Sequence, residues 1–234
     1  MTYPVYFVSL GPGEPELITV KGLKILQQAD ELYCPATSIP LKEGKTSSRA
    51  ADILHTLGIE PSLIRPFLLP MNKDRKAAWQ TYDDLVAEVS AGYRAGKKIG
   101  IVAEGDAGFY SSIQYMYDKL TARGIEVKRI AGIPAFIAAG ALSGLHIVKQ
   151  EEQLIVIPGT VSADELSEKI KEGYVIVVMK LSGCAEAIHA CMQEYPEKQF
   201  HYFENVGTEK ELYTSDKEII GQKKFPYFSL MIIQ

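Results

Sequence analysis

Val5-Tyr6-Phe7-Val8-Ser9-Leu10-Gly11-Pro12-Gly13-Glu14-Pro15-Glu16-Leu17-Ile18-Thr19 is the stretch whose reading decides the fold. It opens as an apolar run of strand length, which a Gly-Pro-Gly turn stops abruptly. Gly11 and Gly13 permit a sharp bend and a close approach to the backbone, while Pro12 fixes one dihedral and stiffens the loop. A helix rich in apolar positions follows. A strand that passes through a glycine loop into a helix is where α/β proteins hold small molecules. The loop matches neither common phosphate cradle: there is no G-x-x-x-x-G-K-S/T, and its G-x-G lacks a third glycine at the required place. Glu14 and Glu16 would repel a phosphate, so a cationic or polar ligand suits the loop better. Taken alone, Gly-Pro-Gly is equally an ordinary turn.

The same alternation continues outward. A helix is expected over 20–29, then a strand over 31–34 ended by Pro35, and a helix capped by Ser47 and Ser48 that stops at Gly58. A strand over 63–69, a long amphipathic helix over 77–95, the buried strand Ile99–Ala103, a helix over 109–123 and a strand over 125–130 complete the first half. Strands alternating with helices predict a parallel sheet covered on both faces. In the second half, strands are expected over 153–157, 174–179 and 200–204, with helices over 135–143, 163–171 and 184–195. After Glu209 the pattern turns hairpin-like, with strands over 211–214 and 228–233 and no long helix, so this sheet is expected to be mixed. The reading is therefore two α/β domains, 1–130 and 131–234.

Composition narrows the function. The 234 residues are 47% apolar and 23% charged, ordinary for a globular protein with a substantial core. No apolar run is long enough to span a membrane, and the N-terminus lacks the pattern of a secretion signal. Cys34, Cys184 and Cys191 form an odd count without a C-x-x-C pair, which argues against a disulfide framework and for a reducing cytoplasm. The four histidines show no metal-ligand spacing, so no metal is expected. A net charge of −4 gives no general reason to expect a nucleic-acid partner.

In a parallel sheet, the loops at the carboxyl ends of the strands converge. That edge carries Gly11-Pro12-Gly13 and Glu104-Gly105-Asp106, to which the second half adds Gly132-Ile133-Pro134-Ala135 and Met179-Lys180. Asp106 offers a fixed acceptor and Met179 a soft wall for a flat ring. Two readings stand side by side: Glu104 and Asp106 also make good helix caps, and Met179 is also a plausible core residue. The coincidence of four such loops favours a site.

These loops resemble a known family. Ser9 to Lys21 is similar to the opening motif of the tetrapyrrole methylases. Ala103-Glu104-Gly105-Asp106-Ala107-Gly108-Phe109-Tyr110 resembles their second motif, Ala131-Gly132-Ile133-Pro134-Ala135-Phe136 their third and Val177-Val178-Met179-Lys180 their fourth. Leu32-Tyr33-Cys34-Pro35, Ser47, Ser48, Leu69-Pro70-Met71, Trp79 and the aromatic run from Gly105 to Tyr117 are most similar to the branch that methylates C-20 of precorrin-2 or cobalt-factor II in cobalamin synthesis. The resemblance implies a class III methyltransferase fold, S-adenosylmethionine held in the cleft between two domains, a tetrapyrrole substrate and a homodimer. Carried over by position, the cofactor contacts are Pro12, Glu104, Gly105, Asp106, Phe109, Pro134, Ala135, Met179 and Val206. Asp106 is expected to orient the cofactor or steady developing charge, and Tyr110 and Lys180 to hold or polarise the substrate. Glu14, Ala107 and Ala131 depart from the family, which has Asp, Pro and often Pro there.

The resemblance also implies a substrate rich in carboxylates, for which Lys42, Lys45, Arg49, Lys73, Arg75 and Lys76 are candidate partners, or else a solvated surface run. Methyl transfer to a carbon needs alignment more than acid–base work, and no Ser-His-Asp or Cys-His constellation is apparent. Three alternatives stay open: a precorrin-4 C-11 methylase, a relative acting on ribosomal RNA, and a protein that binds a nucleotide-like ligand without catalysis.

Overall fold

The structure, a computed structural model, describes residues 2–36, 48–68 and 75–234. Lys42, Lys45, Ser47, Leu69, Pro70, Met71 and Lys73 lie outside the described residues. Two compact units divide the chain, Met1–Pro134 and Ala135–Gln234.

The first unit is built on a five-stranded, all-parallel sheet. Its strands are β1 (Val5–Ser9), β2 (Glu31–Ala36), β3 (Ile64–Leu68), β4 (Ile99–Ala103) and β5 (Val127–Ile130), in the spatial order β3-β2-β4-β1-β5. β4 is buried at every position, as the unbroken apolar run requires of a strand covered on both faces. The helices are α1 (Val20–Leu26), α2 (Arg49–Thr56), α3 (Arg75–Arg94) and α4 (Gln114–Ala122). Phe7, Ile99 and Ile101 pack with Val86, Val89, Met116 and Leu120 in one cluster. Val8, Leu32 and Val102 pack with Leu26, Ile53 and Leu54 in another. Alternate strand residues thus serve opposite faces, which is the pleat expressed as packing.

Two local expectations need correction. Pro35 does not end β2, which continues to Ala36 opposite Leu68. Pairing of β2 with β4 stops at Tyr33, so the proline sits where only one neighbour is paired, a place that tolerates a missing N–H. The helix expected from Phe109 starts at Gln114 instead, because Tyr110 has φ 50° and cannot be helical.

The second unit carries a mixed sheet. Its strands are β6 (Leu154–Ile157), β7 (Val175–Met179), β8 (Phe200–Glu204), β9 (Leu212–Thr214) and β10 (Ser229–Ile233), in the order β6-β7-β10-β8-β9. β6 and β7 are parallel; β10 runs antiparallel to both β7 and β8. Its helices are α5 (Ala135–Ser143), α6 (Ala163–Lys171), α7 (Ala185–Glu194) and α8 (Lys217–Gln222). The short α8 was not anticipated. Asp216 caps it by accepting from the Glu218 and Ile219 amides. Because β10 inserts antiparallel, its first residues meet the carboxyl ends of β7 and β8 at one edge.

Candidate active site

In the first unit, three loops are tied together by two short side chains. β1 lies between β4 and β5, so the loops leaving all three emerge side by side. Ser9, the last residue of β1 and fully buried, donates from Oγ to the Ile130 carbonyl at 2.6 Å and accepts from the Ala107 amide at 2.8 Å. Asp106 accepts from the Gly108 amide at Oδ1 (2.7 Å) and from the Gly132 amide at Oδ2 (2.6 Å). Gly11 and Gly105 exchange backbone hydrogen bonds, N–H to O distances being 3.1 and 2.6 Å. A carboxylate that accepts amide hydrogens makes charge-assisted bonds, stronger than neutral ones. Asp106 therefore fixes the loop after β4 to the loop after β5.

Gly132 is required at this junction. A Cβ there would come within 2.3 Å of Ser9 Cβ and 2.8 Å of the Gly105 carbonyl oxygen. Gly105 has φ +68°, a left-handed conformation that glycine alone adopts without cost, and no atom of the described residues lies within 4 Å of where its Cβ would be. Glu104 sits beside it, 3.7 Å from Arg49. Burial pushes the Glu104 carboxyl up from its ordinary range, the Arg49 guanidinium opposes this, and Asp52 adds to it. Arg49, a candidate partner for substrate carboxylates, thus already faces an acid of its own unit. Arg75 and Lys76 open α3.

The second unit holds its edge by different means. Lys180 and Asn205 follow β7 and β8 directly, and both are left-handed, with φ 61° and 49°. The Lys180 amide donates to the Ser229 carbonyl, and the Asn205 amide to the Phe228 carbonyl, each at 2.9 Å. Lys180 Nζ lies 5.6 Å from the Tyr227 ring centre. Gly159, after β6, has φ +85°, and a Cβ on it would lie 2.3 Å from the Met179 oxygen and 2.6 Å from the Lys180 oxygen.

Among the expected site residues, Pro12, Glu104, Gly105, Asp106, Phe109, Tyr110 and Pro134 belong to the first unit, and Ala135, Met179, Lys180 and Val206 to the second. Pro12 and Val206 are buried, whereas Tyr110 is 45% exposed. Ser9, Gly159 and Asn205 were not singled out from the sequence. Ser9 carried a signal, a hydroxyl closing an apolar strand; Asn205 carried a weak one, asparagine being a residue that accepts a left-handed backbone. The three cysteines are buried, and burial pushes the thiols of Cys34 and Cys191 up to about 11, with Cys184 also raised. None is set up as a thiolate nucleophile at neutral pH. Among the described residues no group of three His, Cys, Asp or Glu side chains is placed to hold a metal, and no helix is long and apolar enough to cross a membrane.

Residues 4–218 match the model of the tetrapyrrole (corrin/porphyrin) methylases. The chain is 30% identical over 234 residues to a precorrin-2 C(20)-methyltransferase of a Sinorhizobium species, covering 97% of this chain and 93% of that one. It is 25% identical over 236 residues to the cobalt-precorrin-2 C(20)-methyltransferase of Salmonella typhimurium, covering 100% and 97%. Among solved structures it is similar to a uroporphyrin-III C-methyltransferase from Thermus thermophilus complexed with S-adenosylhomocysteine. That pair shares a TM-score of 0.66 at 18% identity over 99% of this chain and 92% of the other.

Proposed function

The chain belongs to the tetrapyrrole methylases, and on that premise we propose that it transfers the methyl group of S-adenosylmethionine to C-20 of precorrin-2 or cobalt-factor II in cobalamin biosynthesis. The observation that carries this is the likeness, along nearly the whole chain, to two enzymes named for that reaction. We infer a homodimer from the family resemblance and a cytoplasmic location from the cysteine usage.

The residues present fit such a methyl donor. When bound, it supplies an electrophilic sulfonium methyl together with an ammonium group. Glu14 and Glu16 are exposed beside the first loop, and acids there favour cationic groups over phosphate. Among the described residues, no atom lies within 4 Å of where a side chain on Gly105 would begin. In this reading Pro12, Glu104, Gly105, Phe109 and Pro134 of the first unit and Ala135, Met179 and Val206 of the second contact the donor.

The chain's own work is placement, which is sufficient for a reaction between a reactive methyl and an electron-rich ring carbon. Asp106 acts through the loops it ties, since both of its oxygens accept amide hydrogens. Tyr110, in the connection between β4 and α4, and Lys180, directly after β7, are both left-handed, and they are the residues we assign to the macrocycle.

Incubation with S-adenosylmethionine and either metal-free or cobalt-loaded precorrin-2 should add one methyl mass to at least one ring. A ring left unmodified by protein that binds S-adenosylhomocysteine would move the chain to another branch of the family. Absence of binding at millimolar ligand would remove the methylase reading.

A further inference from the structure

Among the described residues, three that are not glycine have positive φ: Tyr110, Lys180 and Asn205. Lys180 and Asn205 directly follow the carboxyl ends of β7 and β8, and Tyr110 lies in the connection between β4 and α4. Sparsely populated backbone conformations persist only where the surroundings over-determine them, and they gather at functional sites. Two of the three are already assigned to the site. From the third we propose that Asn205 is a positioning residue for S-adenosylmethionine, its left-handed backbone setting the next residue, Val206, against the donor. This rests on the methylase reading above.

The turn around Asn205 is held from every side. Its amide donates to the Phe228 carbonyl at 2.9 Å, which anchors it to the start of β10. Its carbonyl accepts from the Thr208 amide at 3.1 Å and from Thr208 Oγ1 at 2.8 Å. On the strand side, Glu204 Oε1 accepts from Tyr202 Oη at 2.5 Å and from Lys223 Nζ at 2.9 Å. On the far side, the Gly207 amide donates to Glu211 at 3.1 Å, and Gly207 itself has φ +78°. The chain leaves β8, reverses hand for one residue at Asn205, and delivers Val206 into a buried position.

Asparagine tolerates the left-handed region better than other side chains, glycine better still, and a β-branched residue worst. The test follows from that ranking. Binding of S-adenosylhomocysteine is measured by calorimetry, and kcat and KM for S-adenosylmethionine by methyl transfer, for wild type, Asn205→Gly, Asn205→Ala and Asn205→Val. Expected is a rise in Kd and KM of about tenfold or more for Asn205→Val, a smaller rise for Asn205→Ala, kcat within about twofold, and near wild-type values for Asn205→Gly. The alanine variant carries the comparison if the valine variant does not fold. A lowered melting temperature with unchanged Kd and KM would make Asn205 merely structural. An Asn205→Gly variant as weak as Asn205→Val would show that backbone hand is not the cause. Both outcomes overturn the positioning role while wild type still binds; a wild type that does not bind overturns the methylase reading with it.

Discussion

The two units brace their strand ends in opposite ways. The first uses small residues and side-chain acceptors: Ser9 and Asp106 bond across three loops, and Gly132 lets them close. The second uses backbone hand: Lys180 and Asn205 turn left-handed, and Gly159 lies against the Met179 and Lys180 carbonyls. The difference follows from topology. In the all-parallel sheet the neighbours at the edge are all strand exits. Gly11 and Gly105 pair there through their backbones, and the side chains of Ser9 and Asp106 carry the tie on to the end of β5 and the loop after it. In the mixed sheet the entrance of β10 sits among exits, and backbone amides of Lys180 and Asn205 find carbonyls of Ser229 and Phe228 directly. Bracing by side chains tolerates graded change; bracing by backbone hand does not.

The largest effects should therefore come from glycines. Gly159→Ala places a Cβ against two backbone oxygens at a left-handed φ, so overpacking and backbone strain add to a loss of about 3–4 kcal/mol. Gly132→Ala meets a side-chain carbon first and should lose about 2–3 kcal/mol as Ser9 shifts. Urea unfolding measures both. Equal losses, or a smaller one at Gly159, would break the contrast between the units.

Asp106 comes next. Asp106→Ala strands the Gly108 and Gly132 amides and should lower stability by about 2 kcal/mol, since unsatisfied donors cost roughly 1–3 kcal/mol. Asp106→Asn keeps an acceptor and should lose about 1 kcal/mol, yet cut turnover at least tenfold because the loops lose their fixed register. A wild-type rate in Asp106→Asn would reduce the residue to a loop brace without consequence for the reaction. At Lys180 the sign reverses. Glycine relieves a left-handed penalty of roughly 1–2 kcal/mol, so Lys180→Gly should be as stable as wild type or more so while turnover drops. A variant as active as wild type would exclude the lysine from the site.

This contrast also explains what could be read beforehand. The first unit's edge is written in punctuation: Gly11-Pro12-Gly13, Gly105-Asp106 and Gly132 stand out because glycine and aspartate at strand ends carry conformational meaning. The parallel sheet was equally legible, since β1 and β4 are unbroken apolar runs. Lys180 gives no such sign, because nothing in a lysine announces a left-handed backbone, and Asn205 gives only a weak one, since most asparagines are not left-handed. Tyr110 misled for the same reason, and the helix expected from Phe109 began at Gln114. Ser9 was visible as a letter but not as a bridge. Its partners Ile130 and Ala107 lie far away in sequence, and only the strand order β4-β1-β5 brings them together.

The smallest effect separates the units by pH. Glu104 has its carboxyl raised above the ordinary 4.5 by burial, with Arg49 opposing. The unfolded chain therefore loses this proton first as pH rises. Its contribution is fully present below 4.5 and declines as pH climbs toward the folded value. His201 is buried beside β9, its Nδ1 3.0 Å from the Tyr213 hydroxyl, and burial lowers it from 6.5. Here the unfolded chain takes up the proton first, so the contribution is present above 6.5 and declines as pH falls toward the folded value. Relative to wild type, Glu104→Gln should gain stability as pH rises from 4.5, and His201→Gln as pH falls from 6.5. Urea midpoints measured between pH 4 and 8 should show these opposite slopes. A flat slope for either variant would mean that its group titrates as freely in the folded protein as in the unfolded chain, and that its unit is not closed around it.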